Sequence, residues 1–98
     1  MDVKQGREVV ERYRSLLCLM QYPEEAGPFD REPTPREAMS HIYGMLDRME
    51  EFLNTAERQD FFWISPDWDK FNRWLGFVQG VLWLHGDFTL VQMREHNR

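Results

Sequence analysis

The chain has 98 residues and a formal net charge of −5 at pH 7, from 12 basic and 17 acidic side chains. Hydrophobic residues make up 42% of the chain and aromatic residues 14%, which is enough apolar material for one packed domain over residues 1–98 and excludes a disordered chain. The single cysteine excludes an intramolecular disulfide framework and multi-cysteine zinc sites, and the acidic balance argues against a protein that binds DNA phosphates.

The first predicted helix covers residues 3–22. Its apolar residues recur at helical spacing, and charged side chains occupy the opposite face. The apolar stripe consists of Val9, Val10, Tyr13, Leu16, Leu17 and Met20. This spacing predicts an amphipathic helix with one buried face.

Proline and acidic residues interrupt the helical pattern over residues 23–35. Proline lacks an N–H and disfavours the helical conformation of the residue before it, so Pro23, Pro28 and Pro33 prevent a continuous helix. The acidic side chains of this segment are Glu24, Glu25, Asp30 and Glu32. We expect an ordered acidic loop with Phe29 as its apolar anchor, and not a domain linker.

Three further helices are predicted from capping signals. Thr34, Ser65 and Thr89 each precede an apolar segment, and Thr34 and Thr89 complete a capping box with the residue three positions later. The predicted ranges are 35–54, 66–85 and 90–96. Gly86 is the expected C-terminal stop of the third helix, and we expect the apolar run 61–64 to plug the end of the helical core.

These elements predict an all-α fold, a compact three-helix bundle with a short C-terminal fourth helix and no sheet. The third helix is apolar nearly all round, which is expected of a central helix with two sides to bury. The predicted core consists of Val10, Tyr13, Leu17, Ile42, Met45, Leu46, Met49, Phe52, Trp74, Leu75, Val78 and Leu82.

The sequence contains no pattern typical of catalysis, cofactor binding or metal binding. His41, His85 and His96 have no i, i+3 or i, i+4 spacing to one another, whereas zinc sites usually contain such a local pair. Neither a glycine-rich phosphate loop nor a nucleophile elbow is present. We therefore expect a protein that is not an enzyme, with no cofactor and no metal.

The third helix carries more apolar surface than one packed face requires. A second strip on it consists of Phe77, Gly80, Val81 and Leu84, with Trp83 at its edge and Lys70 and Arg73 beside it. Gly76 and Gly80 lower helix propensity by about 1 kcal/mol each relative to alanine, which indicates close approach of another backbone or a ring. Two interpretations remain open: the first helix covers this strip as ordinary core, or the strip is a recognition surface.

A helix-turn-helix is the DNA-binding alternative, formed by the third helix, the Gly86 turn and residues 89–98. Asp87 and Gln92 stand where such a motif needs apolar contacts, and the whole domain is acidic. The competing interpretation is that the terminal helix closes the core through Leu90 and Met93. A nucleic-acid mimic is a minor alternative, because arginines interleave most of the carboxylates.

Residues 71–83 (FNRWLGFVQGVLW) and 35–47 (PREAMSHIYGMLD), with parts of 86–98, are similar to small uncharacterised proteins carried by tailed bacteriophages. The similarity covers residues 34–98. It implies an accessory protein that acts inside a bacterial host by binding and blocking a host protein, such as part of a defence system. It assigns no functional residues.

We therefore expect a non-enzymatic protein-binding module that inhibits a host protein. The anchors would be Phe77, Gly80, Val81, Trp83 and Leu84, and the acidic loop would meet a basic patch and raise the association rate. The alternatives are a self-associating protein that forms a homodimer and, behind it, the DNA-binding regulator. No apolar run approaches the roughly 18 residues that span a bilayer, and residues 1–7 lack a signal-peptide core, so we expect a cytoplasmic protein with no membrane partner.

Overall fold

The computed structural model describes residues 1–98, and all of its regular secondary structure is helical, as predicted. The α-helices are α1 (Val3–Leu19), α2 (Pro35–Glu57), α3 (Pro66–His85) and α4 (Leu90–His96), and a 3-10 turn at Phe62–Ile64 precedes α3. The molecule measures 41 × 30 × 20 Å. None of its helices combines the length and the apolarity that crossing a membrane requires.

Each α-helix begins at a side-chain cap. Asp2, Thr34 and Thr89 accept a hydrogen bond from the backbone N–H three residues later and close capping boxes. Ser65 accepts from the N–H of Asp67 at the start of α3. The predicted starts at 35, 66 and 90 are confirmed, because a cap depends only on residues within one turn.

The C-terminal ends differ from the prediction at two helices. α1 stops at Leu19 and not at 22 because Gln21 adopts a left-handed conformation with φ +63°. The N–H of Tyr22 then donates to the carbonyl of Leu17 at 3.2 Å, which closes the helix as a Schellman motif. The predicted stop at Gly86 is confirmed, with φ +89°.

α2 runs three residues beyond the predicted end at 54, to Glu57. Ala56 is fully buried in this last turn, and the hydroxyl of Thr55 donates to the carbonyl of Glu51 at 3.2 Å. Ala56 packs into the core in this last turn, so the helix continues past the end at 54 that the sequence pattern predicts.

α2, and not α3, is the central helix. It makes the most extensive contacts of any helix, with both α1 and α3, and the core lies among these three helices. Of the twelve predicted core residues, Met45 and Trp74 are the two that are not buried. Both line a surface cleft between α2 and α3, because that face of α2 has no third helix over it.

α4 is attached to the other helices by a buried polar network. His96 lies against Tyr13 of α1, and Gln79 of α3 bonds both Tyr13 and Asn97. Met93 is buried, but Leu90 is 55% exposed. Of the two side chains expected to close the core, Met93 does so and Leu90 does not, and the imidazole of His96 is buried instead of Leu90.

The apolar run 61–64 does not plug the core as expected. Phe62 alone is half-buried, with its ring edge-on to Trp68 at 5.0 Å. Phe61, Trp63 and Ile64 are 57%, 58% and 73% exposed. Successive side chains of a 3-10 turn point about 120° apart, so a single turn directs only one of them inward.

Candidate partner-binding surface

The second strip of α3 is open to solvent. Phe77 is 55% exposed and Leu84 is 83% exposed, and Val81 is half-buried between them. The interpretation of the strip as core covered by the first helix is therefore wrong.

Part of the strip forms one wall of a groove between α3, α2 and the acidic loop. We call it the apolar groove; its volume is about 470 Å³. Its lining comprises Gly27, Pro28, Phe29, Pro33, Ala38, His41, Phe77, Val81 and Leu84. Phe29 is 83% exposed, so the apolar side chain expected to anchor the loop instead extends the groove.

Two of the five predicted α3 anchors lie outside the apolar groove. Trp83 is 51% exposed and sits about 120° around the helix axis from Phe77, at 100° per residue. A Cβ atom built on Gly80, or on Gly76, meets nothing within 4 Å. No backbone or ring of this chain therefore makes the close approach that the two glycines indicated.

The acidic loop is tied to α2 along its length. The N–H of Glu25 donates to the carbonyl of Ser40 at 3.3 Å, and the N–H of Gly27 donates to Nδ1 of His41 at 2.9 Å. A Cβ atom on Gly44 would lie 3.0 Å from the carbonyl oxygen of Glu25. The loop is ordered, as predicted, because it rests directly on the backbone of α2 at this glycine.

The far end of the loop is fixed by an ion pair. The guanidinium of Arg31 donates to both carboxylate oxygens of Glu37, one of them at 2.9 Å. This contact, followed by the backbone N–H of Thr34, lowers the pKa of Glu37 to about 2. Arg31 is thus engaged within the chain and does not neutralise the neighbouring loop carboxylates.

His41 joins the loop to both helices at the floor of the groove. Its Nδ1 accepts the hydrogen bond from the Gly27 N–H and therefore carries no proton in this contact. The ring lies edge-on to Phe29 at 5.8 Å and to Phe77 at 6.3 Å between centroids. The contacts of the His41 ring with both phenylalanine rings hold Phe29 of the loop opposite Phe77 of α3.

All four predicted acidic residues are exposed, but they are not equivalent. A hydrogen bond shared with Asp47 raises the pKa of Glu24, and Asp47 itself pairs with Arg14 at 3.0 Å. Glu24 therefore belongs to an ion network on α1 and α2. The cationic members of the chain's ion pairs are Arg7, Arg14, Arg31, Arg48, Arg73, His85 and Arg98, and none of them pairs with Glu25, Asp30 or Glu32. These three carboxylates therefore remain available for a partner.

A second depression, which we call the basic cleft, adjoins the apolar groove and shares His41 and Phe77 with it. Its volume is about 450 Å³. Its other lining residues are Met45, Arg48, Phe52, Lys70, Arg73 and Trp74. The sequence indicated Lys70 and Arg73 as neighbours of the strip, but it gave no reason to add Arg48, because that requires knowing that α2 and α3 are adjacent.

The titratable residues do not assemble a metal centre. The chain contains no group of three or more histidine, cysteine or acidic side chains arranged to hold a metal ion. His85 pairs with Asp87 at 2.9 Å, His41 bonds the loop, and His96 is buried. Each histidine therefore has a separate local contact.

Comparison with protein-family models, with curated proteins and with solved structures finds no match. The function of the chain is therefore inferred from its own surface.

Proposed function

We propose that this chain, as a three-helix bundle with a short fourth helix, is a non-enzymatic protein-binding module that recognises its partner through the apolar groove. The observation that carries the proposal is the exposure of Phe29, Phe77 and Leu84 (83%, 55% and 83%) around one groove. Covering apolar surface is worth about 25 cal/mol per Å², and grouped apolar side chains on a small domain commonly mark an interaction site.

The shape of the groove suits a segment of another protein. Phe77, Val81 and Leu84 recur at intervals of four and three residues, as anchors do where a helix meets a partner. The opposite wall is the loop, which the Gly27–His41 and Arg31–Glu37 contacts hold in place. A preformed groove loses little conformational entropy on binding.

The acidic loop contributes mainly to the rate of association in this proposal. Glu25, Asp30 and Glu32 are exposed and unpaired beside the groove. Exposed charges that face a basic patch raise the association rate more than the affinity, and salt screens the effect. Glu25→Lys combined with Glu32→Lys should slow association at low ionic strength and have little effect at high ionic strength.

We propose further that the partner is a bacterial host protein that the chain blocks. This part of the proposal rests on the expectation, drawn from the sequence of residues 34–98 alone, of a tailed-bacteriophage accessory protein. Such an inhibitor needs no catalytic group, because occupying a surface on the host protein is sufficient.

Capture of partners from bacterial lysate tests the proposal when a groove variant is compared with a matched control. The groove variant is Phe77→Ser with Leu84→Ser, and the control is Trp63→Ser with Ile64→Ser, which are 58% and 73% exposed outside the groove. A protein retained by the wild type and the control, and lost by the groove variant at unchanged melting temperature, supports recognition through the groove. Identical retention by all three overturns it.

A second copy of this chain is the alternative occupant of the apolar groove. Light scattering after size-exclusion chromatography distinguishes the two cases. A stable dimer that Phe77→Ser with Leu84→Ser converts to a monomer would show that a second copy, and not a host protein, covers the groove.

A further inference from the structure

We infer that the basic cleft is the second half of the binding surface and that it receives the carboxylate-bearing end of an acidic, amphipathic segment of the partner protein. This inference rests on the proposed protein-binding function and specifies the chemistry of the partner. The apolar end of the segment would fill the apolar groove, and its acidic end would contact Arg48, Lys70 and Arg73.

The two depressions are continuous. His41 and Phe77 line both of them. Along α3 the combined surface extends from Leu84 to Lys70, which at 1.5 Å per residue is about 21 Å. That length accommodates about four turns of a bound helix or about six residues of an extended strand.

The charge of the cleft is opposite to that of the chain. Arg48, Lys70 and Arg73 lie in its lining, and no carboxylate does, although the chain carries 17 acidic residues and a net charge of −5. A local concentration of cations on an otherwise acidic surface selects a partner with carboxylates at that point.

The cleft cations are weakly engaged within the chain. Arg48 lies 3.7 Å from Glu51, and Arg73 lies 3.4 Å from Asp69, each in a single pair along its own helix. Lys70 forms no ion pair; its Nζ lies 5.7 Å from the ring centroid of Phe52. Exposed pairs of this kind contribute little, so both guanidinium groups remain able to bind an external carboxylate through two parallel hydrogen bonds.

By contrast, the arginines outside the cleft that support the fold are well paired. Arg14 contacts the carboxylates of Glu11, Asp47 and Glu50 at 3.0 to 3.2 Å. Arg31 is bonded to both oxygens of Glu37. Neither Arg48 nor Arg73 of the cleft has multiple or bidentate carboxylate contacts of this kind.

An aromatic floor lies beneath the cations. Trp74 is half-buried and lies edge-on to Phe52, with 4.9 Å between ring centroids. Rings in this position offer apolar contact to the methylene groups of glutamate or to an adjacent apolar side chain, and they exclude water from the ion pairs. Both effects favour an amphipathic segment over a small inorganic anion.

Two features favour a protein segment over a nucleic acid. Glu24 and Glu25 line a depression that shares Arg48 and Trp74 with the cleft, so a continuous phosphate backbone would be repelled there. The apolar groove also has no lysine or arginine in its lining that could bind the phosphates of a polyanion. A protein segment places its carboxylates at one end only and avoids this repulsion.

The test is a nuclear magnetic resonance titration of the ¹⁵N-labelled chain with three probes. The first probe is a fifteen-residue helical peptide with leucines at i, i+4 and i+7 in one half and three glutamates in the other half. The second is the same peptide with glutamine in place of each glutamate, and the third is a dodecamer of deoxythymidine. We expect the acidic peptide to shift the indole resonance of Trp74 and the amides around Arg73 and Phe77, and to bind at least about threefold more tightly than the glutamine peptide.

A pair of charge variants tests the assignment to the cleft. Lys70→Gln with Arg73→Gln should weaken the acidic peptide about three- to tenfold. Arg58→Gln with Arg94→Gln changes the net charge equally at exposed positions outside the cleft and should leave the affinity unchanged. Both double variants should retain the wild-type melting temperature, because no cation involved is in a tight ion pair.

The possible failures are distinguishable. Equal affinity for the acidic and glutamine peptides, with both weakened by Phe77→Ser and Leu84→Ser, overturns the acidic specificity and leaves the groove function intact. Tighter binding of the deoxythymidine dodecamer at the cleft overturns the inference in favour of a nucleic acid. If no probe at about 1 mM shifts the cleft resonances, the inference is wrong, and the groove function is then judged by the lysate experiment alone.

Discussion

The phenol oxygen of Tyr13 lies 2.7 Å from Nδ1 of His96, although 83 residues separate the two in the chain. The side-chain amide of Gln79 donates to the same phenol oxygen at 2.9 Å. The phenol hydrogen is therefore directed to His96, whose proton must be on Nε2. This pair connects α1 to α4 in the interior, and no buried polar side-chain atom of the chain lacks a hydrogen-bond partner.

Tyr13→Phe should destabilise the protein by about 1 to 3 kcal/mol, because it leaves the buried Nδ1 of His96 without a donor. Urea unfolding measures the change. Tyr22→Phe is the matched control: Tyr22 is half-buried and its hydroxyl forms no hydrogen bond within the chain, so the expected change is within about 0.5 kcal/mol. Equal losses in the two variants would show that the buried network does not contribute to stability.

Stability should fall on acidification through His96. Burial, and secondarily the charge of Arg12, lowers the pKa of His96 in the folded state below the value of about 6.5 expected in the unfolded chain. The unfolded chain therefore binds the proton first. The contribution is fully present above about pH 6.5 and is lost as the pH falls towards and through the lower folded-state pKa.

Urea unfolding of the wild type and of His96→Gln between pH 8 and pH 5 measures this contribution. The wild type should lose more stability than the variant across that interval. Parallel pH dependence of the wild type and His96→Gln would contradict the assignment.

The features that the sequence predicts correctly are those determined by residues close together in the chain. Thr34, Ser65 and Thr89 determine helix starts within one turn, and all three starts were predicted. The left-handed Gln21 ends α1 without the glycine that normally marks such an end. The Tyr13–His96 contact joins positions whose pairing no periodicity indicates, so the sequence predicts Leu90 and Met93, and not His96, as the residues through which α4 closes the core.

The same reasoning explains the candidate site. Spacing along α3 was sufficient to group Phe77, Val81 and Leu84, since residues three and four apart share a helix face. The opposite wall, from Phe29 to His41, depends on the loop folding back over α2, which is a long-range contact. The basic cleft depends on α2 being the central helix. The sequence instead predicts α3 as the central helix, because α3 is apolar nearly all round.

Gly80→Ala should stabilise the protein by up to about 1 kcal/mol, because alanine has the higher helix propensity and a Cβ atom there meets nothing within 4 Å. Thermal unfolding measures the gain, and Gly76→Ala should behave alike. Unchanged partner binding is expected, since neither glycine lines the apolar groove. Increased stability with lost binding would extend the recognition surface across α3 to Gly80 and Trp83.

Gly44→Ala should disturb the loop and not α2. The added methyl group would lie 3.0 Å from the backbone oxygen of Glu25, so the loop must move and the Gly27–His41 hydrogen bond must lengthen. Hydrogen exchange should show faster exchange of the Gly27 amide than in the wild type, with amides in the middle of α2 unchanged. A protected Gly27 amide in the variant would mean that the loop does not depend on this close approach.

Phe77→Ala and Phe71→Ala should separate recognition from stability. Phe71 is fully buried, and truncating a buried phenylalanine costs about 3 to 5 kcal/mol. Phe77 is 55% exposed, so its truncation removes little buried area and should cost less than about 1 kcal/mol of unfolding free energy. Binding to the captured partner should nevertheless weaken by about 2 kcal/mol or more, the scale of an aromatic anchor at the centre of an interface. A stability loss of about 3 kcal/mol at Phe77 would instead place this ring in the core, and the recognition surface would then have to lie elsewhere on the molecule.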